Sequence, residues 1–463
     1  MSPVHIRDRV SLKKTVLPTD RRSINRNRVS HGDSPGDSPT HPAIREELNM
    51  NTENGYKKFL ILWSGDLISQ IGGGLTSFGL GVYIFSKTGS AAQMALVTLL
   101  GFLPTILLSV PAGVLADMYD RRVLMMLGDG CSAIGILYIL LVMLHGDADL
   151  WQICVGVLIS SVFSSLLEPS YRATVTDILS EEEFTKASGL VSLSGSARYL
   201  VSPMIAGLLL GKFDIKLLLV IDICTFFVTL ATTAFVKRSI TASRPSEKES
   251  FFAVLKNGWK GVYSRKGVML LIIISSLISM FIGVIQILSE PLILSFSDAK
   301  TLGISETVCA LGMLVTALIT GIYGIRKAQS RFLSVSLFMA GLFMVFFSLT
   351  ESVSVICVFG FLFFAMLPPA NSCLDYLART NIPNELQGRV WGFIGLISQL
   401  GYIPAYALSG VLADRVGEVF GIGVGRGSAR VIAVAGVLLM AVSLGFLFSV
   451  RIRNLENGSE YAG

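Results

Sequence analysis

From Phe59 to Phe85 the chain reads FLILWSGDLISQIGGGLTSFGLGVYIF, and Asp66 is the only charge in it. A helix that crosses a hydrocarbon core of about 30 Å needs about 20 apolar residues, so this stretch predicts a membrane span with one carboxylate inside. The rest of the chain repeats the pattern. Of 463 residues, 52% are hydrophobic and 15% charged, with a mean hydropathy of +0.65, far too apolar for soluble domains. Further apolar runs lie near 91–116, 123–144, 151–178, 185–210 and 215–236, then near 268–295, 304–325, 332–349, 353–377, 390–413 and 429–450. Twelve spans in two sets of six predict an all-α membrane protein. Its expected divisions are a polar, disordered tail (1–56), a first six-helix half (57–236), a linker (237–266), a second half (267–450) and a short tail (451–463).

An even number of spans puts both termini on one side. The tail before Phe59 carries eleven Lys and Arg and the linker eight, against seven in the loops opposite, so the positive-inside rule places both termini in the cytoplasm. The setting expected is the plasma (inner) membrane. The tail segment HGDSPGDSPTHP from His31 has neither the apolar core nor the cleavage site of a signal peptide, and Met50 offers an alternative start just ahead of the first span.

Several classes are disfavoured. The six cysteines fall inside apolar runs without CxxC spacing, and the four histidines lie in the tail or at a loop, which argues against a metal site or a histidine relay. GIGVGRG from Gly421 has a crude glycine-rich spacing but follows no strand, and there is no Walker lysine motif. Without a nucleophile and base pair the chain reads as no enzyme. No cofactor is expected, ATP does not drive it directly, and the bilayer is its setting and partner. No nucleic acid partner and a monomeric state are expected.

The two sets resemble each other at an offset of about 200 residues. EPSYRATVTDILSEEEFTKASGL from Glu168 matches PPANSCLDYLARTNIPNELQGRV from Pro368 in its proline, charged helix end, loop and acidic helix start. VSPMIAGLLLG from Val201 stands where the second set has YIPAYALSGVLAD from Tyr402. Such symmetry is expected of transporters built from two six-helix halves. A different repeat breaks this register: GVLADMYDRR from Gly113 and GVLADRVG from Gly410 share five letters but close spans two and eleven, on opposite sides. The second copy is expected to mark only a helix end, as the distant counterpart of span five.

GVLADMYDRR resembles the loop between helices two and three of the major facilitator superfamily, with Gly113, Asp117, Arg121 and Arg122 matching and Asp120 in place of the usual glycine. Together with LWSGDLISQIG, IDICTF and NELQGRV, it makes the chain similar to the macrolide-efflux branch of the drug:proton antiporters, over most of 59–450. SPMIAG resembles an antiporter signature of span five: Pro203 and Gly207 match, while Ser202 and Ala206 replace glycines. The resemblance implies two pseudo-symmetric six-helix halves around a central cavity and export of an amphipathic organic small molecule as substrate by proton antiport, with the proton gradient as energy source. Export of an endogenous metabolite such as a siderophore, lipid flipping, and a transport-dead sensor or scaffold using the tail are the other readings.

Ionisable groups at bilayer depth cost about 2.5–3.5 kcal/mol on insertion scales and need a reason. At about 1.5 Å per residue, Asp66, Arg198 and Asp222 fall deep, whereas Glu168, Asp375 and Glu290 fall near a rim. Asp66 heads the candidates for substrate or proton binding, with Gln70, Gly73 and Ser77 at helical spacing forming one polar, close-packed face. The alternative is a structural pair with Arg198. Asp222 is expected to make a structural hydrogen bond. Asp117 is expected to accept from the amides that open span eleven, near Gln387 and Arg389, and Arg121 and Arg122 to pair with Glu168 or Asp177 when the inner gate closes.

Overall fold

The computed structural model describes residues 42–237, 266–325, 328–382, 387–449 and 456. The linker 237–266 and most of both tails therefore lie outside the described residues. The chain divides into two compact units, Met1–Asn49 and Met50–Gly463, and the description below concerns the second.

All regular elements among the described residues are helices. The first set consists of α1 (Pro42–Thr88), α2 (Ala91–Leu107), α3 (Ser109–Met118), α4 (Arg121–His145), α5 (Leu150–Ser164), α6 (Leu167–Ile178), α7 (Glu181–Leu200), α8 (Ser202–Leu210) and α9 (Ile215–Lys237). The second consists of α10 (Lys266–Leu294), α11 (Ala299–Tyr323), α12 (Gln329–Ser348), α13 (Val353–Ala365), α14 (Leu367–Asn381), α15 (Gln387–Leu400), α16 (Tyr402–Val419) and α17 (Gly423–Phe448). Helix α1 begins at Pro42, so the end of the expected polar tail is already helical. Eleven stretches are long and apolar enough to span a membrane, and α2 with α3, bent by 45°, makes a twelfth.

The breaks within spans follow the internal repeat. Span four pauses at Leu166 and span ten at Met366, while span five pauses at Val201 and span eleven at Gly401, in both cases about 200 positions apart. Prolines account for several of them: Pro104 lies in the last turn of α2, and a proline occupies the first turn of α8 and of α14. Proline removes an amide donor and clashes with the preceding turn, so a helix bends or restarts there.

Lipid supplies no hydrophobic drive between helices, so close packing rests on small residues. Span five meets span eight where Gly207 lies against Ala299 and Gly303; a Cβ on Gly207 would stand 2.6 Å from the Ala299 carbonyl oxygen. Span two meets span eleven where Gly410 lies on Ala91 and Ala92, a Cβ there falling 2.8 Å from the Ala92 Cα. These contacts join the first set to the second. One buried apolar cluster also runs through both, from Leu75, Phe78 and Ala206 to Ile285, Leu302 and Ala413. Successive spans alternate in direction, which defines two ends of the bundle. The tail end holds the ends of spans two and four and the start of span eleven; the far end holds the start of span two and the end of span eleven.

Candidate functional site

Span one presents different faces to packing and to open space. Gly72 lies against Asp222 and Thr225 of span six and Gly74 against Ser202 of span five, whereas a Cβ on Gly73 would meet nothing within 4 Å. The close-packed face expected around Gly73 is therefore carried by its neighbours, and Gly73 with exposed Ser77 borders open space. Asp66, half-buried on that side, accepts hydrogen bonds from the Ser194 hydroxyl of span five and, at 3.4 Å, from Gln70. Arg198 does not pair with Asp66: its guanidinium donates to Ser77 Oγ at 3.1 Å. The two charges thus sit on one polar tract of spans one and five, each with its own partner: Ser77 lies three turns from Asp66 on span one, and Arg198 one turn from Ser194 on span five.

The loop motif at the tail end is held within the first set. Asp120 caps α4 by accepting from the Arg122 amide at 3.0 Å. Arg121 pairs with Asp177 of span four at 2.6 Å and also donates to the Ala173 carbonyl. Glu168 pairs with Arg172 on its own helix at 2.8 Å rather than with the loop arginines. Arg122 is buried. Asp117 makes no bond to span eleven among the described residues: its side chain is 67% exposed and stands 3.6 Å from Arg121, one turn away. Gly113 has open space around it. The side chains of Gln387 and Arg389 lie outside the described residues.

The second GVLAD copy is not a bare helix end. The Asp414 carboxylate accepts from the Ser90 hydroxyl at 2.6 Å, the Ala91 amide at 2.9 Å and the Ala92 amide at 3.1 Å. A helix start has unsatisfied amides and a positive dipole end, so a carboxylate arriving from another helix serves both needs. Ser90 is itself the N-cap of α2 and accepts from the Gln93 amide. The absence of a side chain at Gly410 lets α16 approach closely enough for Asp414 to reach across. Two to three turns deeper in the same seam, Phe102 lies 5.4 and 5.2 Å from the rings of Tyr402 and Tyr406, and Tyr406 donates to Gln286 Oε1 at 3.1 Å.

SPMIAG is the matching seam of span five. Ser202 donates to the Ile71 carbonyl of span one at 3.0 Å, Ala206 is fully buried, and the Pro203 carbonyl lies against Gly303 of span eight. Thr307 of span eight donates to the Leu200 carbonyl at the break, at 3.0 Å.

Besides Asp66, the structure buries carboxyl oxygens of Asp129, Glu290 and Asp222. Asp129 of span three is 1% exposed, and neither of its oxygens has a hydrogen-bond partner among the described residues. Glu290 is not at a rim: its Oε2 is sealed from solvent and lies against Gly81 of span one, with Glu306 of span eight as its electrostatic neighbour. Asp222 is buried, accepts weakly from Thr225 at 3.5 Å and packs on Gly72. Asp129 and Glu306 each lie about eight residues into their helices, roughly 12 Å deep, so the rule that singles out Asp66 applies to them equally. The glycines of GIGVGRG turn the chain and pack α17: Gly421 and Gly423 have φ of 63° and 77°, and Gly427 lies against Gly417.

Residues 62–406 match the family model of the Major Facilitator Superfamily. Macrolide efflux protein A of Streptococcus pyogenes is 26% identical over 80% of this chain and 92% of its own. The enterobactin exporter EntS of Salmonella typhimurium is 25% identical over 85% of this chain and 94% of its own. Among solved structures, a bacterial homologue of the iron transporter ferroportin in an inward-facing state superposes with a TM-score of 0.66 at 14% identity, covering 85% of this chain and 99% of that one. The chain belongs to the major facilitator superfamily: it is a multi-pass membrane transporter and not an enzyme.

Proposed function

We propose that the protein is a secondary active exporter that moves an amphipathic organic molecule out of the cell in exchange for protons, by alternating access between the two ends of the bundle. The observation that carries this reading is the asymmetry of those ends. Asp414 ties span eleven to the start of span two at the far end, while exposed Asp117 at the tail end holds, among the described residues, Arg121 alone. Transporters of this build work by rocking one half against the other around a fixed site, so a latch made at one end and unmade at the other is a state of that cycle. With both termini in the cytoplasm, as the basic residues argue, the state is inward-facing.

In this reading Asp66 exchanges the coupling proton, and Gln70, Ser77 and Arg198 offer polar contacts to the substrate from the same tract. The opposite state forms when Asp117 docks on the amides opening α15, near Gln387 and Arg389, where the helix dipole favours it. The Arg121–Asp177 pair and the Asp120 cap keep the loop in shape for that docking. The likeness to macrolide efflux proteins supports export of a drug-like amphiphile; the match to the enterobactin exporter over 85% of the chain supports a siderophore-like metabolite as the second reading.

The test is substrate accumulation in energised everted vesicles, with and without a proton gradient. Gradient-dependent accumulation of a macrolide or a catecholate is expected, and Asp66→Asn should lower it by about 100-fold, the scale of losing a positioned proton-transfer group. Transport indifferent to the gradient would remove proton antiport, and full gradient-driven transport by Asp66→Asn would remove the residue assignment.

A further inference from the structure

Three carboxylates lie inside the first set of spans, and they differ in what holds them. Asp66 accepts from Ser194 and Gln70, and Asp222 accepts from Thr225. Asp129, 1% exposed, accepts from none of the described residues. An ionised carboxylate sealed from water without a donor is among the most costly groups a protein can hold, and deletion of one such oxygen pair by an apolar residue would be favourable on stability grounds alone. A side chain in that position needs a bound proton.

The surroundings offer no other counter-charge. Helix α4 packs on α5, α6 and α9 and touches α3. The charges bearing on Asp129 are Asp66 from span one and Asp222 from span six, both acidic. Span four contributes Tyr171, whose buried hydroxyl also lacks a partner, and exposed Arg172, which pairs with Glu168. Helix α5 contributes Cys154 and the hydroxyls of Ser160 and Ser164, both bonded to Ser132, one turn along α4 from Asp129. The remaining bases sit at helix ends: Lys216 pairs with Asp214, Lys237 closes α9, and Arg121 and Arg122 open α4 two turns away. Asp117 of α3 pairs with Arg121. Gly128, beside Asp129, lies under Leu167, a Cβ there standing 3.0 Å from Leu167 Cγ, so α4 cannot turn the carboxyl toward lipid without unpacking span four.

We propose that Asp129 is a second proton-binding carboxyl of the exchange, acting with Asp66. Two acids in one apolar region do not both ionise readily, so the pair holds a proton between them. Asp66, at the edge of open space, takes one proton from the cavity, and Asp129 holds another deeper among the same set of spans. Ser194 and Gln70 donate to Asp66, whereas no described residue donates to Asp129. The inference rests on the proton-antiport reading for its role in transport, but not for the proton site itself.

The experiment uses the purified full chain in nanodiscs and follows the infrared C=O stretch of protonated carboxyl groups as pH is raised. The wild type should lose this band in more than one step; Asp129→Asn should remove one step and displace the one that Asp66→Asn removes. A band and titration unchanged by Asp129→Asn would overturn the proposal. Ser132→Ala, on the same helix face, serves as the packing control and should leave both steps in place, and Asp129→Leu repeats the test without a polar group. In everted vesicles Asp129→Asn should lower gradient-driven macrolide or catecholate accumulation by about tenfold or more, as loss of an acid–base group does. If wild-type transport ignores the gradient while the coupled titration is present, the antiport reading fails and the proton site stands. If wild-type transport needs the gradient and Asp129→Asn transports normally, the role assigned to Asp129 fails and the antiport reading stands.

Discussion

The two copies of GVLAD carry the same side chains in opposite circumstances. In the copy at Gly410 the aspartate is half-buried, takes three donors from the start of another helix, and its glycine touches that helix's backbone. In the copy at Gly113 the aspartate is 67% exposed, its one partner among the described residues is an arginine in the next turn, and its glycine faces open space. What differs is the distance to a partner helix start. Spans two and eleven run antiparallel, so the end of each faces the beginning of the other. At the far end that meeting is made, and at the tail end it is not. In the proposed cycle the shared letters serve one device at each end of a helix pair, separate from the internal repeat of about 200 positions that relates span five to span eleven.

The most forceful way to break this comparison is a wedge. Gly410→Leu places a branched side chain where even a Cβ would collide with Ala91, so far-end closure should be abolished and the tail-end-closed population should dominate. A Cβ at Gly113 meets nothing within 4 Å in the present state, so Gly113→Ala should leave it intact. Spin-label distances across each end check both. Next comes Asp414→Asn, which keeps the shape and one acceptor but removes the charge. Hydrogen bonds to charged groups are worth about 1.5–3 kcal/mol and the dipole contact about 0.3–1, so a net loss near 1.4 kcal/mol, about tenfold in the closed-to-open ratio at the far end, is expected. Asp117→Asn should leave the present state untouched and disfavour the opposite one by about threefold to tenfold, visible as slower return from tail-end closure in single-molecule traces.

The smallest effect belongs to a control at the same end. Asp298 caps α11 through the Thr301 amide at 2.8 Å, within its own half, and hydrogen bonds from Thr301 hold its carboxyl below the usual carboxylate range. A lowered value means the cap is fully formed above the ordinary carboxylate range and is lost as pH falls through the lowered one. The group is exposed and screened, so Asp298→Ala should cost at most about 1 kcal/mol of stability and leave the end-to-end ratio where it was. A shift as large as that of Asp414→Asn would mean that capping any far-end helix, not bridging two halves, sets the ratio.

Much of the architecture is legible in the sequence because lipid imposes it. Span length, loop charge and proline breaks are local, and they place the twelve spans within a few residues of those described, Phe59–Phe85 inside α1 and Ile215–Val236 inside α9 among them. The polar tract of span one is legible for the same reason, from Asp66, Gln70 and Ser77 at helical spacing. Facing is less so. Gly72, Gly73 and Gly74 are adjacent letters, yet one packs on span six, one faces open space and one packs on span five, and only the neighbours decide which. Glu290 looks peripheral by depth but its oxygen is sealed against Gly81. The Asp414 contact is the least legible, because sequence similarity aligns span eleven with span five while packing brings it against span two.

The central claim is that Asp414 holds the far end closed by bridging spans two and eleven. It is tested most directly by measuring label-to-label distances in nanodiscs across the far end, between Lys212→Cys and Glu418→Cys, and across the tail end, between Tyr119→Cys and Thr380→Cys, with and without Asp414→Asn. The account predicts that the substitution lengthens the far-end distance and shortens the tail-end distance in the same fraction of molecules. Distance distributions unchanged at both ends, in protein that binds the bilayer and runs as a single species, would contradict it.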